Sequence, residues 1–400
     1  MAGGRPARYG DDGVRAPDAT AVAARNAVAV VFVLNGFSFA SLFSRVPALR
    51  DGLGLDNTGI AALLLAGAVG SVGALPSAGP LIRRTSVAVV TRGGVVLVAI
   101  GLVLAAVGAT VVEEVVVAAA GFLVYGVGVA VWDVAMNVEG AAVERVLGRA
   151  ILPRFHAAWS LGSVTGAGLA VLATAAALPM TLHLALAAVV VLAALRAPAR
   201  YLPAQPDAHS GSSLDAWRDP RTIGIGLMVM AFALTEGAAN DWLALAIIDG
   251  YDARHWVGVA GFAVFVVAMS TGRLVGTVVL DRFGRVPVLR ATALLALAGL
   301  LLLVLGQHPV VAVVGIVLWG LGASLGFPVG MSAGADDPAH AAARVGVVST
   351  VGYSAFLAGP PVLGFIGDRV GTLQALLVIA VLLVPTVFLV SVAREPVAAR

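Results

Sequence analysis

Hydrophobic residues in this chain are gathered into long blocks, separated by short stretches in which arginine, aspartate, glycine and proline collect. A helix needs about 20 consecutive apolar residues to cross the hydrocarbon core of a bilayer. Six segments meet that measure at 26–46, 58–80, 87–109, 114–137, 156–177 and 180–197, and six more at 222–248, 257–280, 286–306, 309–332, 343–366 and 371–393. A polar connector, 198–221, divides the two sets, and tails at 1–24 and 394–400 flank them. The pattern predicts an all-α integral membrane protein with twelve transmembrane helices, in one six-helix bundle at 25–197 and another at 222–393.

Arginine placement checks the count independently, because the cytoplasmic loops of membrane proteins carry the basic excess. With the first segment entering from inside, 21 of the 25 basic residues fall on the cytoplasmic side, and only Arg45, Arg50, Arg254 and Arg369 fall outside. A shift of one segment would scramble that split. Both termini and the connector are therefore expected to be cytoplasmic, in a bacterial-type plasma (inner) membrane. The first tail lacks the basic, apolar and small-residue order of a cleavable signal, so it is expected to be retained.

The two sets of six also share landmarks in the same order, which points to a duplicated unit. Asn35-Gly36 in segment 1 matches Glu236-Gly237 in segment 7, each preceded by a phenylalanine. The spacing from Arg84 to Arg92 matches that from Arg282 to Arg290. Gly126-Val-Gly128 in segment 4 matches Gly320-Leu-Gly322 in segment 10.

Composition narrows the function classes. With 60% hydrophobic and 12% charged residues and a mean hydropathy of +0.99, the chain is far from the balance of soluble domains. Absent cysteine, there is neither a disulfide framework nor a thiolate metal site. Histidines 156, 183, 209, 255, 308 and 340 show no metal-ligand spacing. Every basic residue is arginine, so no lysine-bearing phosphate loop exists and an ATP-driven pump is excluded on this chain. No Gly-x-Ser-x-Gly elbow appears. The net charge of +3 reflects loop arginines, not a nucleic-acid surface.

Polar residues inside the apolar segments carry the candidate chemistry. A carboxyl at membrane depth is costly unless it faces protein or water, and by default it marks a substrate or ion pathway. Asp133 and Asn137 lie one helical turn apart in segment 4, sharing a face. They read either as glue between helices or as lining of the substrate path. Glu236 lies midway along segment 7, with Asn240 a turn further on, while Asp241, nearer the outer end, reads equally as solvated at a funnel mouth. Asn35 and Ser38 offer hydrogen bonds from segment 1. Arg45 either joins them or snorkels to the outer surface. Trp132, Trp159, Trp242 and Trp319 are available to stack on a sugar ring, and His156 reads as an interfacial residue at the start of segment 5. Gly162, Gly166 and Gly168 are expected to permit close helix approach, and Gly359-Pro360-Pro361 to bend segment 11.

Twelve segments in two similar halves and the turn Asp281-Arg282-Phe283-Gly284-Arg285 resemble the major facilitator superfamily, whose loop after the eighth helix often carries Asp-Arg-x-Gly-Arg. Within it, Trp132-Asp-Val-Ala-Met-Asn137, Pro153-Arg-Phe-His156 and Glu236-Gly-Ala-Ala-Asn-Asp241-Trp242 resemble the YbjJ-like branch, near the fucose-permease type of sugar transporter. The resemblance covers 25–393 and implies alternating access, two pseudo-symmetric bundles rocking about a central site lined by helices 1, 4, 7 and 10. It implies a monomer, not an enzyme, that works in the bilayer without cofactor or metal, moving a small, polar, sugar-like solute with protons. Two alternatives stand beside it: a proton-driven exporter of lipophilic or cationic compounds, and a membrane sensor on a transporter fold. On this reading Glu236 and Asp133 couple to protons, and no arginine lies within a helical turn of either. Asn35, Ser38, Trp132, Asp133, Asn137, Asn240 and Trp242 contact substrate. Asp281, Arg282 and Arg285 face Arg154 and His156 in a cytoplasmic gate. In the first-half counterpart, Arg83 stands where the family commonly has the acid.

Overall fold

The computed structural model describes residues 19–147, 151–202, 214–337 and 340–395. The two outer tail ends and the middle of the connector lie outside them. Among the described residues, twelve helices are long and apolar enough to cross a membrane: spans 1 to 6 are Ala19–Leu53, Asn57–Arg84, Val87–Thr110, Val115–Leu147, Arg154–Ala175 and Met180–Arg200. Spans 7 to 12 are Pro220–Tyr251, His255–Phe283, Arg285–Leu305, Pro309–Gly334, Ala343–Val370 and Thr372–Ala393. No strand occurs among the described residues. Helices are the open structure a bilayer tolerates, because every backbone donor and acceptor is satisfied within the segment.

Three spans differ instructively from a hydropathy ruler. Span 4 runs ten residues past the predicted end, because Glu139 is not a loop residue: it is buried and accepts the main-chain N–H of Leu202 at 2.7 Å. Glu144, from the same extension, accepts N–H bonds from Ile151 and Leu152 at 2.7 and 2.8 Å, supplying the orphan donors at the start of the span 5 helix. Spans 1 and 10 are each interrupted, at Ser44–Arg45 and at Ser324–Leu325. At the first break Arg45 is buried and donates to His183 Nδ1 at 3.1 Å, Thr174 Oγ1 at 3.0 Å and the Leu178 carbonyl at 2.6 Å. It therefore neither snorkels outward nor reaches substrate; it staples span 1 to spans 5 and 6.

The internal repeat is visible in how the glycines pack. A Cβ on Gly126 would lie 2.0 Å from the Gly67 carbonyl of span 2, and one on Gly128 would lie 2.7 Å from the Val98 nitrogen of span 3. In the second half, a Cβ on Gly320 would meet the Phe265 carbonyl of span 8 at 2.7 Å, and one on Gly322 the Ala296 nitrogen of span 9 at 2.3 Å. Each central helix thus uses two hydrogen-sized positions to draw two neighbours close, which drives helix association where lipid removes the hydrophobic incentive. Gly162 and Gly166 do the same between spans 5 and 1, with virtual Cβ contacts of 1.9 Å to Val33 O and 2.6 Å to Phe37 O. Gly168 has open space around it, so the expected close approach there is absent.

Spans of each half pack mainly on one another, and the halves meet along two seams, span 5 against span 8 and span 2 against span 11. With twelve crossings, the chain ends lie on one side; the seams are tied on the other. There Arg50 grips both oxygens of Asp249 at 2.5 and 2.7 Å. Asp368 of span 11 accepts the N–H groups of Asn57 and Thr58, both at 3.0 Å, and also the Thr58 hydroxyl. Asn57 Nδ2 and Asp249 meet at the Thr372 hydroxyl, at 3.1 and 2.7 Å. Asp368 therefore caps the N-terminus of span 2 from the opposite bundle, where the helix dipole and free N–H groups favour an anion.

Candidate functional site

At mid-depth between the halves, four side chains from four helices connect across the divide. Glu236 of span 7 accepts from Arg273 Nη2 of span 8 through both oxygens, at 3.1 and 2.9 Å. Arg273 Nε donates at 3.3 Å to the Ser324 carbonyl, which sits at the break in span 10. The guanidinium carbon lies 5.9 Å from the ring centre of Trp159 in span 5, and Trp159 Nε1 donates at 2.9 Å to Asn35 Oδ1 of span 1. His156, one helical turn before Trp159, lies within electrostatic reach of Arg273 and meets Phe32 edge-on at 5.4 Å. The pair keeps some access to solvent, with 15% and 24% of the Glu236 and Arg273 side chains exposed.

This corrects the expectation that Glu236 lacks an arginine. Spacing along one helix could not see Arg273, which comes from the neighbouring span and which the arginine split assigns to the cytoplasmic side. A carboxylate bound by a guanidinium is already neutralised, and taking up a proton would leave Arg273 without its counter-ion. Asn35 joins the cluster through Trp159, and its Nδ2 is a buried donor with no partner among the described residues. His156 is part of the central group, not merely interfacial.

Asp133 and Asn137 form a second polar pair on span 4. Asn137 Nδ2 donates to the Asp133 carbonyl at 2.9 Å and lies 3.4 Å from its Oδ1. Both are partly accessible, and Asp133 is within electrostatic reach of Tyr353 in span 11, again across the divide. No cation is paired with Asp133 among the described residues.

Other expected contacts are not met in this state. Ser38 is buried, donating to the Asn35 carbonyl at 2.8 Å and lying 3.4 Å from the Tyr125 hydroxyl. Trp132 and Trp242 are fully buried in the bundle cores, so neither ring faces a solute; Trp132 packs over Gly94 of span 3. Trp319 is likewise buried, its Nε1 donating to the Thr235 carbonyl at 3.1 Å. Asn240 is buried, and its Oδ1 has no partner among the described residues. Asp241 is buried as well, contrary to a solvated funnel mouth.

The gate residues are placed but not engaged. Asp281, Arg282 and Arg154 are exposed, and Asp281 has no ionic partner within 4.0 Å among the described residues. Arg282 lies over its neighbour Phe283 at 5.3 Å. Arg285 turns instead to Asp336 at 2.6 Å and to Glu395 at 3.5 Å, within its own half. The expected Asp281–Arg154 contact is absent among the described residues.

Comparison with known proteins agrees with this architecture. A Major Facilitator Superfamily model matches residues 147–360 and 255–399. An uncharacterised MFS-type transporter of Yersinia pestis is 30% identical over 344 residues, 85% of this chain and 88% of that protein. The chain belongs to the major facilitator superfamily. It is a multi-pass membrane transporter, not an enzyme. Membrane protein MosC of Rhizobium meliloti is 25% identical, covering 88% of this chain and 86% of its own. Among solved structures, the D323A mutant of the nucleoside transporter NupG superposes with a TM-score of 0.74 at 15% identity, over 94% of this chain and 99% of that one. A bacterial homologue of the human lysosomal transporter Spinster, inward-facing and unoccupied, also gives 0.74, at 11% identity over 95% and 98%. At these identities the likeness is one of fold.

Proposed function

We propose that this member of the superfamily is a secondary active transporter of a small, polar, sugar-like organic solute, working by alternating access in a bacterial inner membrane and coupled to protons. The observation that carries the reading is the Asn35–Trp159–Arg273–Glu236 connection, which puts hydrogen-bonding groups and an aromatic face from both halves at one central place. A solute bound there would touch both bundles at once, the requirement for coupling its binding to their rocking. Asp133 and Asn137 extend the polar wall on span 4. Runs 132–137 and 236–242, which resemble the YbjJ-like branch, support a sugar-like solute. A lipophilic-cation exporter is less well served, because Glu236 is already neutralised by Arg273.

On this reading the terminal side is cytoplasmic, as the arginine bias supports, and the Arg50–Asp249 and Asp368–span 2 contacts close the outside. The proton carrier is a membrane carboxyl without a fixed cation. Asp133 meets that condition and Glu236 does not, so Glu236 acts here as the counter-ion of a substrate-binding arginine.

The test is uptake into proteoliposomes of the full chain, with and without an inward proton gradient, over a panel of monosaccharides, polyols, nucleosides, amino acids and lipophilic cations. Gradient-stimulated uptake of a hydroxyl-rich solute, lost in Arg273→Gln, is expected. Uptake confined to lipophilic cations, or wild-type rates in Arg273→Gln, would remove this site from the reading.

A further inference from the structure

Spans 3 and 9 hold equivalent places in the two halves, and each carries an arginine at its sixth residue: Arg92 in the helix that begins at Val87, Arg290 in the helix that begins at Arg285. Both are exposed, and both use Nε in the same way. Arg92 Nε donates to the Leu195 carbonyl near the end of span 6, and Arg290 Nε to the Val387 carbonyl near the end of span 12, each at 3.3 Å. A guanidinium has five N–H donors, and this bond takes one. Among the described residues neither arginine has a carboxylate partner. On this side of the first half, Glu139 and Glu144 are already taken up by main-chain N–H groups. In the second half, Asp336 and Glu395 are held by Arg285 and Asp219 by Arg344, and Asp281 forms no ion pair with Arg290. The Nη donors of both arginines are therefore left without an anion.

Their place on the helix decides what those donors meet. Along span 3 the exposed residues Val89, Val96, Ile100 and Val103 recur at helical spacing, and Arg92 belongs to the same stripe. Along span 9, Arg290 heads a stripe of exposed Leu294, Leu301 and Leu305. Both spans pack on neighbours of their own half, so an exposed apolar stripe on either faces lipid tails. Each arginine lies about 8 Å along the axis from its helix start, where the headgroup region gives way to hydrocarbon. An arginine that merely snorkelled would carry a free guanidinium out to water. Here the Nε bond to a neighbouring span fixes the fork at that level, and the duplicated fold does so twice.

We infer that Arg92 and Arg290 head two equivalent lipid sites, at the span 3–span 6 and span 9–span 12 junctions, each binding the phosphate of an anionic phospholipid whose acyl chains lie along the apolar stripe. A planar fork with free Nη donors matches two phosphate oxygens, as the point charge of a lysine does not. Basic places between membrane helices hold anionic headgroups in this way. The two sites are unequal. Arg196 and Arg200 stand exposed on the short helical turn, Ala193–Arg200, that supplies the Leu195 carbonyl, whereas span 12, Thr372–Ala393, contains no basic residue. The first-half site is the tighter one. A zwitterionic lipid, whose cationic headgroup offsets its own phosphate, is held poorly at both.

The experiment is native mass spectrometry of the full chain released from nanodiscs of equal parts phosphatidylglycerol and phosphatidylcholine, counting the lipids that stay bound. The wild type should retain two phosphatidylglycerols. Arg92→Gln and Arg290→Gln should each remove one, and the double variant both. Arg196→Gln should weaken the first site roughly fivefold. Arg154→Gln, which removes an exposed arginine on the same side but at the seam between the halves, should leave the count at two. Should Arg92→Gln fail to fold, Arg92→Lys, which keeps the charge and loses the fork, must lower retention at the first site. Equal retention of the two lipids, a count indifferent to the Arg92 and Arg290 variants, or the same loss from Arg154→Gln overturns the inference. So does displacement of the lipid by inorganic phosphate at an ionic strength where chloride leaves it bound, which would mark a pocket for a free anion. Solute transport enters none of these arms, so loss of the transport reading would leave the result standing.

Discussion

Arg273 and Glu236 are 37 residues apart in sequence and on different helices, yet a single guanidinium nitrogen lies 2.9 and 3.1 Å from the two carboxylate oxygens. Removing one partner leaves the other charged and half-wrapped in protein. Arg273→Gln is expected to destabilise the fold by roughly 1–3 kcal/mol, less than a fully buried pair because both side chains keep some water. Combining it with Glu236→Gln should restore most of that loss while transport stays absent. Thermal unfolding in detergent, read beside uptake, separates the two effects; a double variant as unstable as Arg273→Gln alone would show that the pair is not a unit.

The ties on the face opposite the chain ends predict a shift between conformations. Spin labels at Thr110 and His308, on that face of each half, should report one short distance distribution in the wild type. Asp249→Asn with Asp368→Asn should add a longer component, and a tenfold change in the ratio of states corresponds to about 1.4 kcal/mol. An unaltered distribution would mean that these bonds do not hold the face shut.

Two glycines of span 5 make an internal control for helix packing. Gly162→Ala sets a methyl group 1.9 Å from the Val33 carbonyl and must push span 1 away, a cost of roughly 1–3 kcal/mol. Gly168→Ala meets nothing within 4 Å and should be neutral within about 0.5 kcal/mol. Melting temperatures of the two purified variants check the contrast, and equal shifts would contradict it.

Asp219 caps span 7 outside the membrane. Burial alone pushes its carboxyl up, but the Thr222 hydroxyl at 2.7 Å, the Arg221 N–H at 3.1 Å and the nearby Arg344 together hold it below the usual carboxylate range. A depressed native value means stability that is fully present above the unfolded value of about 3.9 and is lost as pH falls through the native one. Asp219→Ala should therefore cost about 1 kcal/mol at neutral pH and progressively less in acid. Melting curves across that range would show the wild type and variant converging; a constant gap would rule out the carboxylate as the source.

Topology is checked by single cysteines. Ser212→Cys, in the connector outside the described residues, and Glu113→Cys, in the turn after span 3, should react with an impermeant thiol reagent from opposite sides of the membrane. Labelling of Ser212→Cys from outside would invert the orientation that the arginine bias predicts.

Hydropathy length carried most of the architecture, because a bilayer imposes one helix length on every span. The matched glycine pairs at 126 and 128 and at 320 and 322 could also be read, since only a missing Cβ lets three helices meet so closely. Helix ends were less legible where a charged residue is buried by a partner distant in sequence, as Glu139 is by Leu202. The central site was half legible. Asn35 and Glu236 announce themselves as polar residues in apolar runs, whereas Arg273 looked like a loop arginine, and Trp132 and Trp242 looked available because sequence does not show which way a ring faces. One signal was present for Arg273: it lies ten residues inside the end of span 8, too deep for an interfacial position.

On the proposed reading, the ties at Asp249 and Asp368, with Asp281 lacking an ionic partner among the described residues, make the two mouths of the molecule unequal. A solute arriving at the tied mouth finds a receptive site only in the fraction of molecules that happen to be open there, and its apparent Kd is weakened by that fraction. A solute arriving at the free mouth meets the intrinsic Kd. One binding site thus presents two half-saturation concentrations, one for each face of the membrane. The gradient alone still sets where net flux ends, while the bonds of Asp249 and Asp368 set how much solute is needed to start it.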